Sequence, residues 1–263
     1  MAKTVFITGA SSGIGRALAQ ELAGRGYDLF LTARRLDALD EVRADIAARD
    51  PGRRVEVRAL DVTDTADVAT AIAEAAERLG RCDIVVANAG LGGSGPVGEG
   101  HLERDRLIIE TNVIGLMATV DAAVALFRRQ GGDGQVVGVS SVAGVRGLPG
   151  SAAYSASKAA VAVYLDAVRA ETYREPITVT TIVPGYIDTP INQDMKSRPF
   201  LIDVETGART TADLIERGVG YATVPRFPWT VVAPLLRVLP TAWLVRGMPQ
   251  RDRRPGTQPD APR

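Results

Sequence analysis

Short β-branched runs alternate with longer Ala-rich segments along most of this chain, and no other feature restricts its fold so tightly. Thr4–Thr8 reads as a strand, and 13–24 as a helix with Ile14, Leu18 and Leu22 at i, i+4 and i+8. The same rhythm predicts strands at 28–32, 54–60, 83–87, 135–141 and 178–183. Helices are predicted at 36–49, 65–79, 102–129 and 154–173. Strands separated by helices of this length require right-handed crossovers. The fold class is therefore α/β: a doubly wound Rossmann fold, with a mostly parallel sheet covered by helices on both faces.

Past residue 190 the rhythm changes. Residues 191–207 are polar and irregular, between Pro190 and a predicted helix at "TTADLIERG", and suit a mobile lid. "VGYATVP" supplies a seventh strand, closing a catalytic unit over residues 1–226. Residues 227–248, "FPWTVVAPLLRVLPTAWLVRGM", are apolar but interrupted by Pro228, Pro234 and Pro240. Residues 249–263 are polar and Pro-rich, with the composition of a disordered tail.

Composition removes several function classes. The chain has 31 basic and 31 acidic residues, so it lacks the basic excess of a nucleic-acid binder. Its one cysteine, Cys82, allows no internal disulfide and reads as a packing residue. A reducing, cytoplasmic setting is expected. His101 is the only histidine, which excludes a histidine-rich metal site and points to no catalytic metal. No secretory leader is visible, and no uninterrupted apolar run reaches the ~18 residues of a spanning helix.

The stretch "FITGASSGIG" joins the first strand to the first helix. A glycine-rich turn there lets backbone N–H groups approach a pyrophosphate, with the helix dipole favouring the anion. Gly9 serves the turn, Gly13 the close approach and Gly15 the helix–strand packing. The spacing G-x-x-x-G-x-G differs from the commoner G-x-G-x-x-G. Further on, Tyr154 and Lys158 in "YSASK" stand one helical turn apart on one face. A lysine cation beside a phenol lowers its pKa and suits it to acid–base work.

"TGASSGIG", "NAG" at Asn88–Gly90 and "YSASK", in that order and with Ser140–Ser141 before the tyrosine, resemble the short-chain dehydrogenase/reductase family from Thr4 to about Pro190. The resemblance implies a tetrad of Asn112, Ser141, Tyr154 and Lys158, with Ser140 the competing serine. It also implies cofactor contacts from Ser11, Ser12, Ile14, Asp61, Val62, Asn88, Ala89 and Gly90, and from Pro184, Gly185, Ile187 and Thr189 around the nicotinamide. In such folds an acid at the end of the second strand favours NAD, and a base favours NADP. Here Arg34 and Arg35 follow Ala33, so NADP(H) is expected in preference to NAD(H).

The activity implied is hydride transfer between NADP(H) and a ketone or aldehyde, with an apolar body expected on the substrate. The alternatives are reduction of 3-oxoacyl thioesters or lipid ketones, and a non-enzymatic NADP(H)-binding regulator. A homodimer or homotetramer is expected. Trp229, Leu235, Leu236, Leu239, Trp243 and Leu244 are expected to share one apolar side. That side has three readings: it covers its own subunit, builds a dimer interface, or makes peripheral contact with a membrane.

Overall fold

The β-branched runs pair as parallel strands in a computed structural model that describes residues 2–93, 95–193, 195 and 197–246. These are β1 (Thr4–Thr8), β2 (Asp28–Ala33), β3 (Val55–Ala59), β4 (Ile84–Ala87), β5 (Gly134–Val139), β6 (Ile177–Pro184) and β7 (Tyr221–Val224). They form one seven-stranded sheet in the order β3-β2-β1-β4-β5-β6-β7. Alternation along β1 feeds two cores. Phe6 faces the side packed by α3 (Thr65–Leu79), α5 (Gly115–Arg129) and α6 (Ala152–Glu171). Val5 and Ile7 face the side packed by α1 (Gly13–Gly24), α2 (Leu36–Arg49) and α7 (Val204–Glu216). The strand order reverses between β1 and β4, and in sheets of this kind the crevice at that point receives the ligand.

The predicted long helix is continuous over Leu102–Arg129, but not uniform. A π-turn at Glu110–Ile114 separates α4 (Leu102–Ile109) from α5. One 18-residue window of this helix has mean hydropathy 1.6, long and apolar enough by composition to cross a membrane. Its apolarity is used in the core, where Leu116, Val120 and Phe127 pack.

Two expected boundaries move. The strand predicted through Ser141 ends at Val139, and Ser141 instead caps a 3-10 turn at Val142–Gly144, accepting from the Ala143 N–H. The irregular stretch expected over 191–207 is partly structured. Pro190–Asn192 form a 3-10 turn, Ile202 bridges Ile187, and α7 already starts at Val204. Asp203 sets that start, because its carboxylate accepts from the Thr206 N–H at 2.6 Å.

Two short helices follow β7: α8 (Trp229–Val238) and α9 (Thr241–Arg246). The single apolar side expected of this segment is split. Trp229 and Leu244 are buried and Leu236 packs inward, whereas Leu235 and Trp243 face outward. A helix apolar on all sides gives no sequence cue to its inner face. The tail at 249–263 lies outside the described residues.

Candidate active site

Backbone geometry explains the glycines of the first turn. Gly9 and Gly13 have φ of 68° and 53°, in the left-handed region that glycine enters without strain. A Cβ on Gly15 would stand 2.3 Å from the Gly9 carbonyl oxygen and 2.5 Å from the Asn88 amide nitrogen. The turn is thus packed too closely for any side chain there. It ends at Ser12, the N-cap residue of α1, whose hydroxyl makes no cap hydrogen bond. The first turn of α1 contains no acidic residue. Its N–H groups and dipole therefore meet no competing anion from within that turn. This is a cradle in which a phosphate fits. Ser11 and Ile14 flank it, both half-buried.

Asn88 ties β4 to this cradle. Its side-chain amide donates to the Thr8 and Gly9 carbonyls at 2.9 and 3.2 Å. The Asn88 and Ala89 N–H groups both donate to the Thr8 hydroxyl, at 3.0 Å. Asn88 thus braces the turn from behind. Gly90 follows, and a Cβ there would stand 3.3 Å from Asn112 Oδ1 and 3.4 Å from Lys158 Nζ. Asn112 and Lys158 are therefore brought to the same glycine.

The four proposed tetrad residues come from three places in the fold: the π-turn, the exit of β5 and the helix α6, which carries both Tyr154 and Lys158. Asn112 sits in the π-turn, fully buried. Such a turn re-aims side chains within a helix, and π-bulges recur at functional sites. Asn112 Oδ1 accepts from the Leu91 N–H at 2.7 Å, and its amide donates to the Leu91 carbonyl and to Ser157 Oγ. Ser157 in turn donates to the Tyr154 carbonyl at 2.7 Å. Ser157, unnoticed in the sequence, therefore links Asn112 to the helix that carries Tyr154.

The two serines separate cleanly. Ser140 is buried and donates to the Lys158 carbonyl at 2.7 Å, which fixes α6 to the sheet. Ser141 instead hydrogen-bonds the Tyr154 side chain. Lys158 is buried, and Nζ donates to the Val139 carbonyl at 2.8 Å. The same nitrogen lies 5.9 Å from the centre of the Tyr154 ring.

Electrostatics here depart from the sequence expectation. Burial raises the Tyr154 phenol above its ordinary value, and the Ser141 hydrogen bond offsets part of that rise. The lowering expected from Lys158 is not what governs the phenol. The ammonium donates to the Val139 carbonyl and lies over the Tyr154 ring. Burial also brings Lys158 down to about 8, since no carboxylate pairs with it among the described residues.

At the other end of the crevice, Arg34 and Arg35 follow the last residue of β2. Both are exposed, and neither guanidinium has an ion pair or hydrogen bond among the described residues. Asp61 accepts from the Thr63 N–H and hydroxyl, while Val62 is buried against Gly115. Past β6, Thr189 lies over the Gly13 turn, with its Cβ 3.5 Å from where a Gly13 Cβ would be. Ile187 is buried in the α7 core. Gly185 abuts the Trp229 indole, so closely that a Cβ would fall 2.0 Å from Nε1. Pro184 ends β6.

Cys82 is buried, its thiol pushed up to about 12. His101 caps α4 and faces Glu99 at 3.8 Å. Two surface cavities of about 190 and 390 Å³ lie elsewhere, beside Tyr27 and between α3 and α5. The crevice is thus located by its residues, and these concavities have no part in it. Sequence reasoning also missed Arg146. Its guanidinium donates to the Arg237 carbonyl and the Thr241 hydroxyl, holding α8 and α9 against the loop after Ser141.

Comparison with known proteins agrees with this geometry. The family model described as short chain dehydrogenase matches residues 3–199. An uncharacterized oxidoreductase of Mycobacterium tuberculosis is 40% identical over 237 residues, covering 90% of this chain and 93% of that protein. An alcohol dehydrogenase of Thermococcus sibiricus, solved with 5-hydroxy-NADP, superposes with a TM-score of 0.76. It is 28% identical and covers 85% of this chain and 96% of its own. A short chain dehydrogenase of Mycobacterium paratuberculosis bound to NAD gives 0.77 at 27% identity, covering 85% and 95%. The chain belongs to the short-chain dehydrogenase/reductase family and is an NAD(P)-dependent oxidoreductase.

Proposed function

We propose that this protein is an NADP(H)-dependent carbonyl reductase that interconverts a ketone or aldehyde with the corresponding alcohol. The observation that carries this reading is the meeting of Ser141, Tyr154 and the buried Lys158, whose Nζ lies 5.9 Å from the centre of the Tyr154 ring. The nicotinamide, when bound, supplies hydride to the carbonyl carbon. Ser141 and Tyr154 both present hydroxyls to the carbonyl oxygen, and Tyr154 delivers the proton. A phenol raised by burial holds that proton at neutral pH, which suits the reduction direction. Lys158 stabilises the developing phenolate by its charge, and Asn112 holds the Leu91 segment and, through Ser157, the frame of α6.

The chain's own residues also suit the cofactor. The Gly9–Gly15 turn, with Ser11, Ser12 and Ile14, holds the pyrophosphate at the α1 N-terminus. Asp61, Val62 and Asn88–Gly90 line the adenosine side. Pro184, Gly185, Ile187 and Thr189 border the nicotinamide end. Arg34, with Arg35 assisting, binds the 2′-phosphate. Two exposed and unpaired guanidiniums beside the end of β2 support this choice, because a planar fork matches a phosphate. One solved relative holds an NADP derivative and another holds NAD, so the preference rests on these two arginines. Leu91, Val145 and Tyr186 surround the carbonyl position and favour a substrate with an apolar body. Exposed Ile114, Met117 and Val163 on the α5–α6 side supply an apolar patch for a second copy of the chain.

The test is oxidation of NADPH and of NADH by the purified protein, against ketones, aldehydes and 3-oxoacyl thioesters. Faster turnover with NADPH on ketones or aldehydes is expected. Preference for NADH would overturn the role of Arg34. Turnover confined to 3-oxoacyl thioesters would move the substrate to that class.

A further inference from the structure

The outer face of the C-terminal helices is apolar and exposed, and uncovered among the described residues. On α8, Val231, Leu235 and Val238 stand at i, i+4 and i+7, and are 55%, 59% and 76% exposed. Phe227 before the helix and Trp243 on α9 add 81% and 65%. The inner face is fixed to the domain: Trp229 packs on Gly185, Tyr186 and Phe200, and Arg146 clamps the joint between the helices. The outward residues are therefore presented by an anchored platform.

The charge around this platform is one-sided. From residue 226 to 246 the segment contains three arginines, Arg226, Arg237 and Arg246, all exposed, and no acid, in a chain whose formal net charge is zero. We propose that this face docks on the surface of an anionic lipid bilayer. The apolar stripe enters the headgroup boundary, Trp243 sits at the interface, and the arginines meet lipid phosphates. Helices of 10 and 6 residues are too short to span a bilayer, so the segment lies on the surface. A second copy of the chain is the lesser fit. A two-fold contact through this stripe would set arginine against arginine, whereas anionic headgroups neutralise both the charge and the exposed apolar area.

The test uses the full-length protein, co-sedimented with vesicles of phosphatidylcholine alone and of phosphatidylcholine with phosphatidylglycerol. Binding to the anionic vesicles is expected to exceed binding to the neutral ones by about tenfold and to weaken with added salt. Leu235→Asp/Trp243→Asp, both at exposed positions, should lose about tenfold of that binding while keeping wild-type circular dichroism. Arg237→Glu/Arg246→Glu leaves the apolar face intact and should lose the anionic preference. Equal binding to both vesicle types overturns the proposal, as does wild-type binding by both variants. A dimer that dissociates in Leu235→Asp/Trp243→Asp, without vesicle binding by the wild type, overturns it and assigns the face to a second copy.

Discussion

The carbonyl end and the adenosine end of the crevice are built in opposite ways. At the carbonyl end Asn112, Ser140, Ser157 and Lys158 are buried, and each is held by at least one hydrogen bond. At the proposed adenosine end Arg34 and Arg35 stand in solvent, their guanidiniums unengaged among the described residues. The first end is pre-organised by the fold, so its geometry is ready before any ligand arrives. The second is an open electrostatic site whose selectivity hangs on exposed side chains. Changes at the first should cost both stability and rate. Changes at the second should alter cofactor choice and leave the fold alone.

The largest effect is expected from Lys158→Met, which removes the buried charge beside Tyr154. Turnover should fall on the order of 10²–10⁴-fold, the range ascribed to a group assisting proton transfer. Retained turnover would detach Lys158 from the chemistry.

Asn112→Ala comes next. It leaves the Leu91 N–H and carbonyl without their side-chain partner, at about 1–3 kcal/mol for each buried group left unsatisfied, while the Ser157 hydroxyl keeps its bond to the Tyr154 carbonyl. A lowered thermal midpoint together with lost activity is expected. Activity lost at an unchanged midpoint would mean that Asn112 acts on the reaction alone.

Arg34→Ala sharpens the contrast from the other side. It should raise the KM for NADPH about 10- to 100-fold, as a lost charge-assisted hydrogen bond implies, and leave NADH and the thermal midpoint unchanged. Equal effects on both nucleotides would remove the 2′-phosphate assignment.

The smallest effect is one of pH. Because burial raises the Tyr154 phenol, its protonated form persists through neutral pH. Reduction should therefore stay level from pH 6 to 7, begin to fall near pH 8 as Lys158 loses its charge, and fall further at strongly alkaline pH as the phenol ionises. Oxidation of the alcohol needs the phenolate and should climb over the same alkaline range. A reduction rate already falling near pH 7 would show that the phenol is lowered, as the sequence alone led one to expect.

How far each part was legible in the sequence follows from what fixes it. The strand–helix rhythm through β6 is local, so Thr4–Thr8, Gly13–Gly24, Leu36–Arg49 and Thr65–Leu79 match their predicted bounds. The glycine turn was legible because its conformations admit little else. The resemblance favoured Ser141 over Ser140, but the separate task of Ser140, fixing α6 to the sheet through the Lys158 carbonyl, follows only from the exit of β5. The π-turn at Glu110–Ile114 has no sequence period of its own. The net direction at Tyr154 was not legible, because helical spacing gives proximity to Lys158 while burial, which sets the direction, depends on the tertiary fold. The C-terminal helices were least legible. Apolar residues all round α8 carry no facing information, and the clamp from Arg146 spans 91 residues of sequence.

The most direct measurement pairs NADPH binding with turnover in Tyr154→Phe. The substitution keeps the ring and removes only the hydroxyl. The account predicts wild-type NADPH affinity and carbonyl reduction lowered by at least about 10²-fold. Undiminished reduction in Tyr154→Phe would contradict it, because the proton would then come from another group.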